Sequence, residues 1–199
     1  MGSFAIFDNG MYMLINIISL ILLFFACAFS ERSGLLKHGI WFVFAALVTD
    51  LCCVATMIIQ IPSPLKGYIN LGDCVVLLSG WILSPYYAFF AAGIGSALAD
   101  AFAGYVVYVP ATFVIKGLMA VLACQCFRMM NTKFGKIKSR IISGVLAEIL
   151  MVLGYFVFEG FLYGFAASAV NIPANSIQGI VGLLVGIQLV KLFENFKIN

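Results

Sequence analysis

GYINLGDCVVLLSGWILSPYYAFFAAGIGSALADAFAGYVVYVPATFVIKG, residues 67–117, is the stretch that decides the fold. Gly and Pro break its apolar runs, and only three charges occur in it: Asp73, Asp100 and Lys116. Each sits in or beside a segment apolar enough to enter a bilayer. A charge at the centre of a membrane helix costs about 2.5–3.5 kcal/mol on insertion scales. Such charges therefore face a protein interior, where they form a structural pair or mark a site. A structural pair would join Asp100 to Lys116. A site is favoured, because other polar groups converge at the same depth.

Composition supports a membrane setting. Of 199 residues, 64% are hydrophobic and 10% charged, whereas a soluble domain is about 25% charged. The chain reads as an all-α polytopic membrane protein. The net charge of +3 says nothing about nucleic acid. The cysteines at 27, 52, 53, 74, 124 and 126 lack zinc-ligand spacing and read as small buried side chains. No basic region precedes the first apolar run, so a cleaved signal peptide is not expected.

Seven spans are predicted. Met11–Ser30 carries no charge and is long enough to cross a hydrocarbon core of about 30 Å. A polar connector, Glu31–His38, leads to Gly39–Ile61. Pro62, Pro64 and Gly67 predict an irregular loop over 62–72. Asp73–Leu83 is a short span ended by Ser84-Pro85, and Tyr86–Ala103 is rich in small residues. A turn at Gly104–Pro110 precedes Ala111–Met130. A basic loop, Asn131–Arg140, leads to Ile141–Tyr163, and a last loop to Ala174–Phe193.

With seven alternating spans, Arg32, Lys37, Arg128, Lys133, Lys136, Lys138, Arg140, Lys191 and Lys197 share one side, and only Lys66 lies on the other. The side rich in Lys and Arg is cytoplasmic. That predicts an external N-terminus and a cytoplasmic C-terminus, in contact with the lipid bilayer throughout. Polar residues then gather in the outer third of the bilayer: Asn70 and Asp73, Asp100, Lys116, Glu159, and Asn175 with Gln178. Glu148, Val152, Tyr155 and Glu159 share one helix face, and Thr112, Lys116 and Met119 another. Tyr105, Tyr108, Tyr155 and Tyr163 add rings with polar tips. Such a site suits a small polar or zwitterionic ring compound. Small-residue stripes, such as Ala91, Gly95, Ala99 and Ala103, allow close helix packing within the subunit or against a partner.

No phosphate-binding G-x-x-x-x-G-K-[ST] loop occurs, His38 is the sole histidine, and no Ser–His arrangement is present. No cofactor or metal is expected. A membrane scaffold or assembly protein is the alternative to a solute-binding subunit, and an intramembrane enzyme resting on carboxylates and Lys116 is the least favoured reading.

The runs GYINLGDCVVLL, GIGSALAD and PATFVIKGLMA resemble the substrate-binding S component of energy-coupling factor (ECF) vitamin transporters, with the later Glu148…Gly154-Tyr155…Glu159 and Asn175…Gln178-Gly179. The resemblance covers roughly residues 39–193. It implies a six-helix bundle over 38–199, with 1–37 an added N-terminal transmembrane helix and connector. It implies a prokaryotic plasma-membrane subunit that binds a vitamin or precursor near the outer face. The implied binding residues are Asn70, Asp73, Asp100, Tyr108, Lys116, Tyr155, Glu159, Asn175 and Gln178. It also implies docking on a transmembrane coupling (T) subunit driven by two cytoplasmic ATPases, with Ala45, Ala46 and Thr49 at the interface. There the chain departs from the family's Ala-x-x-x-Ala pattern: Thr49 follows Ala45 at i+4, and Asp50 follows Ala46. The branch most similar is the pyridoxine or hydroxymethylpyrimidine one, with riboflavin less similar.

Overall fold

The structure is a computed structural model that describes residues 36–63 and 68–195. The expected first span and residues 31–35 of its connector lie outside the described residues; the connector's last three residues, from Leu36, already belong to the first helix. Within them the chain forms six helices of 11 to 28 residues and one short helix. They are α1 (Leu36–Ile58), α2 (Gly72–Ile82), α3 (Pro85–Phe102), α4 (Val109–Phe134), α5 (Lys136–Tyr163), the short α6 (Phe165–Ala169) and α7 (Ile172–Asn195). The six-helix bundle is the predicted fold.

Among the described residues, four segments are long and apolar enough to cross a membrane: Trp41–Ile58, Val109–Phe134, Lys136–Tyr163 and Phe165–Leu192. At 11 residues, α2 reaches only about 16 Å, half of a hydrocarbon core. Its position explains its composition. Every residue from Gly72 to Trp81 is buried, and α2 packs against α1, α3, α4 and α7. A helix apolar all round belongs in the centre of a bundle. Ser84 is extended, and Pro85 takes the first turn of α3, where its missing N–H costs no hydrogen bond.

The small residues of α3 face inward. Ala88, Ala91, Ala92, Gly95, Ser96 and Ala99 are buried, while Tyr86, Phe90, Ile94 and Leu98 form an exposed stripe at four-residue steps. A Cβ at Gly95 would stand 2.4 Å from the Thr49 carbonyl oxygen and 2.8 Å from Cys52 Cβ. Only hydrogen fits there, so α1 and α3 meet almost backbone to backbone. This settles where the Ala45–Thr49 stripe points. Ala45 is buried, and the Thr49 carbonyl abuts Gly95 inside the subunit. Ala46, one step round the helix, is half-buried. Ala45 and the Thr49 backbone thus take part in internal packing, while the Ala46 and Thr49 side chains stay half-buried.

Three boundaries differ from expectation. The 62–72 loop contains a small antiparallel pairing, β1 (Ile61–Pro62) with β2 (Tyr68–Ile69), in register Ile61 to Ile69. The expected basic loop is helical on both sides of Gly135, because hydrogen bonding continues where hydropathy stops. Gly135 alone makes the junction, at φ +75°, a conformation that glycine adopts without strain. The last loop contains α6.

Candidate functional site

A small cavity of about 40 Å³ lies where the ends of several helices meet beside Ser63, Tyr68 and Asn70 of the β1–β2 region. It is lined by Ser63, Tyr68, Asn70, Asp100, Tyr105, Tyr108, Thr112, Tyr155, Glu159, Asn171, Asn175 and Gln178. Seven of the nine expected binding residues are in this lining: Asn70, Asp100, Tyr108, Tyr155, Glu159, Asn175 and Gln178. The other two, Asp73 and Lys116, are not.

Asp73 and Lys116 stand behind the cavity and form a buried ion pair with each other. Asp73 is fully buried, and its second oxygen accepts the Gln178 amide at 2.7 Å. Lys116 also lies over the Tyr155 ring, 5.6 Å from the centroid. The Asp100–Lys116 pair, the less favoured alternative to a site, is therefore not formed. Asp100 instead accepts the Thr112 and Tyr68 hydroxyls, the latter at 2.6 Å. The reason is helical depth. Thr112 precedes Lys116 by four residues on one face of α4, so Thr112 meets Asp100 and Lys116 meets Asp73 a turn deeper.

Glu159 is held from two sides. The Asn171 amide donates to both of its oxygens, at 2.9 and 3.1 Å, and the Tyr108 hydroxyl donates at 3.2 Å. The Tyr155 and Thr112 hydroxyls are 3.0 Å apart. Because Thr112 donates to Asp100, Tyr155 is the donor in that contact. The loop is tied down at two points: Tyr68 to Asp100, and the Asn70 N–H to Gln178 Oε1 at 2.9 Å. Burial, then the adjacent Asp100 carboxylate, raise the Tyr68 hydroxyl above its usual pKa, so it keeps its proton and donates. Tyr68 packs on Tyr105 with centroids 4.8 Å apart, and Tyr105 on Tyr108 edge-on at 6.4 Å. Aromatic rings thus border a cavity whose polar groups are fixed, an arrangement suited to a flat polar solute.

Glu148, on the same face of α5 as Tyr155 and Glu159, is not part of this cavity. Its carboxyl is buried against α7 with no hydrogen-bond partner for either oxygen, beside Gly179 and Gly182. Cβ atoms at those glycines would stand 2.9 and 3.3 Å from its two oxygens. Among the described residues, no group of three or more His, Cys, Asp or Glu could hold a metal ion.

The expected binding set left out Ser63, Tyr68, Tyr105, Thr112 and Asn171, although Tyr105 stood among the rings placed near the site. Thr112 had a usable signal, since it shares a face with Lys116. Tyr68 and Asn171 had none: their places depend on how the loop and α6 fold back over the bundle.

The comparisons with known proteins fit this arrangement. A family model described as ECF-type riboflavin transporter, S component, matches residues 41–195. The chain belongs to this family. It is a substrate-binding subunit of a membrane transporter and not an enzyme. The S component of a bacterial ECF transporter, a solved structure, superposes with a TM-score of 0.62 at 20% identity, over 81% of this chain and 99% of that one. That likeness concerns the fold. A Pyrococcus woesei protein named "uncharacterized protein in gap 3′ region" is 36% identical over 134 residues, 67% of this chain and 87% of that one. The family description carries riboflavin, so the expected pyridoxine or hydroxymethylpyrimidine branch gains no support from it. S components bind vitamin-like substrates and work with T and ATPase modules.

Proposed function

We propose that this S component takes a small water-soluble vitamin or precursor from outside the cell into the cavity beside the β1–β2 region. It then delivers the solute with a separate transmembrane coupling subunit and two ATPases. One observation carries the reading: carboxylates, amides and tyrosines from five segments distant in sequence converge on one cavity, with Asp100 and Glu159 both held by protein partners. Prearranged polar groups of this kind fix a solute's orientation. The cavity's volume of about 40 Å³ admits only a few waters. Entry of a ring compound then requires the Tyr68–Asp100 and Asn70–Gln178 contacts to break.

The test is to purify the protein from cells grown in rich medium, identify the bound compound by mass spectrometry and titrate it calorimetrically. Glu159→Gln should weaken binding by about tenfold with little change in melting temperature, since a charged hydrogen bond is worth about 1.5–3 kcal/mol. Unchanged affinity in a stable Glu159→Gln protein removes this cavity as the site. Co-expression with a coupling subunit and ATPases should give uptake of the same compound.

A further inference from the structure

Six of the twelve side chains that line the cavity spend a donor on a partner inside the protein. Tyr68 donates to Asp100, Tyr108 to Glu159, and Tyr155 to Thr112, which itself donates to Asp100. The Asn171 amide is directed at Glu159, and the Gln178 amide at Asp73. The acceptors are not used up. A carboxylate offers about four lone-pair positions, about two per oxygen. Each Asp100 oxygen has accepted one side-chain donor, and so has Glu159 Oε2. The carboxylates come from different helices, α3 and α5, and both line the cavity. Among the described lining residues no Lys, Arg or His offsets them; Lys116 is engaged by Asp73. Lys66 falls outside the described residues.

We infer that the solute carries no anionic group and presents N–H or O–H donors, or a positive charge, to Asp100 and Glu159. Phosphorylated and carboxylated relatives of the same ring are rejected. The inference rests on the solute-binding reading above and names the class of compound that site takes. An anion would meet two buried carboxylates with no cationic side chain among the described lining residues, which is how a site discriminates by repulsion. A ring without donors would strand acceptors that water satisfies in the empty cavity.

Yeast extract, which contains vitamins both free and as phosphate esters, supplies the probe. Purified protein is incubated with it and washed, and the retained compounds are identified by mass spectrometry. The expected result is one retained ring compound without an anionic group. Its phosphate ester should be depleted by about tenfold or more relative to the extract. Asp100→Asn and Glu159→Gln should each move that ratio toward the extract's own. Retention of the ester or of a carboxylated compound at parity overturns the inference and leaves the solute-binding reading intact. Retention of nothing by the wild-type protein overturns both.

Discussion

At the scale of single residues, the buried Asp73–Lys116 pair sets two charges deep in the bundle. Both side chains are nearly inaccessible, so each charge depends on the other. Breaking such a pair from one side costs about 3–5 kcal/mol, because a buried charge is left alone. Lys116→Met should therefore lower the melting temperature sharply, and Asp73→Asn with Lys116→Met should restore most of it. Thermal unfolding of the purified variants in one detergent decides this. A double variant no more stable than Lys116→Met would show that the pair is not what holds the region together. Adding Asp100→Asn to Lys116→Met should not rescue, since Asp100 is satisfied by Tyr68 and Thr112. The sequence made it legible that Lys116 needs a carboxylate. It did not make the choice of partner legible. Depth estimated from neighbouring antiparallel helices favoured Asp100, whereas the central placement of α2, a three-dimensional fact, brings Asp73 alongside.

At the scale of elements, hydropathy located all six described helices but not their ends. Apolar runs report where a helix contacts lipid or core; backbone hydrogen bonds continue through Asn131–Phe134 and Lys136–Arg140, which carry exposed Lys133, Lys136 and Lys138. The small-residue stripe of α3 was legible as a close contact, but its partner was not. That partner is α1, and Gly95 is the contact point. Gly95→Val should push α1 from α3 against the Thr49 carbonyl and destabilise by at least the 1–3 kcal/mol typical of overpacking. Ile94→Val, next in sequence but on the exposed stripe, should change the melting temperature little. If Gly95→Val melts with the wild type, the α1–α3 contact is looser than the structure shows. The same contact bears on docking. Another surface of α1 carries the exposed Phe42, Leu47 and Leu51, and we propose it as a further candidate for contact with a coupling subunit.

At the scale of the whole molecule, the two ends of the bundle differ in chemistry. The cavity, with Asp100 and Glu159, occupies one end. The α4–α5 junction, with Lys133, Lys136 and Lys138 exposed, occupies the other, because α4 runs away from Tyr108 and α5 returns to Tyr163. Exposed basic residues favour the cytoplasmic side, so we propose that the cavity opens outward. Two positions test this. Val106 is 67% exposed beside the cavity, and Ile137 is 57% exposed near the basic junction. Each is replaced by cysteine in turn and probed in intact cells with a membrane-impermeant maleimide. Cys52, Cys53, Cys74 and Cys124 are buried and can stay; Cys126 and Cys27 are replaced. The Val106→Cys protein should label from outside, and the Ile137→Cys protein only after the cells are opened. The converse pattern would place the cavity on the cytoplasmic side and would be incompatible with uptake from outside through it. Labelling at neither position before or after opening would mean that both ends are shielded in the membrane, contrary to the exposure of these side chains in the bundle.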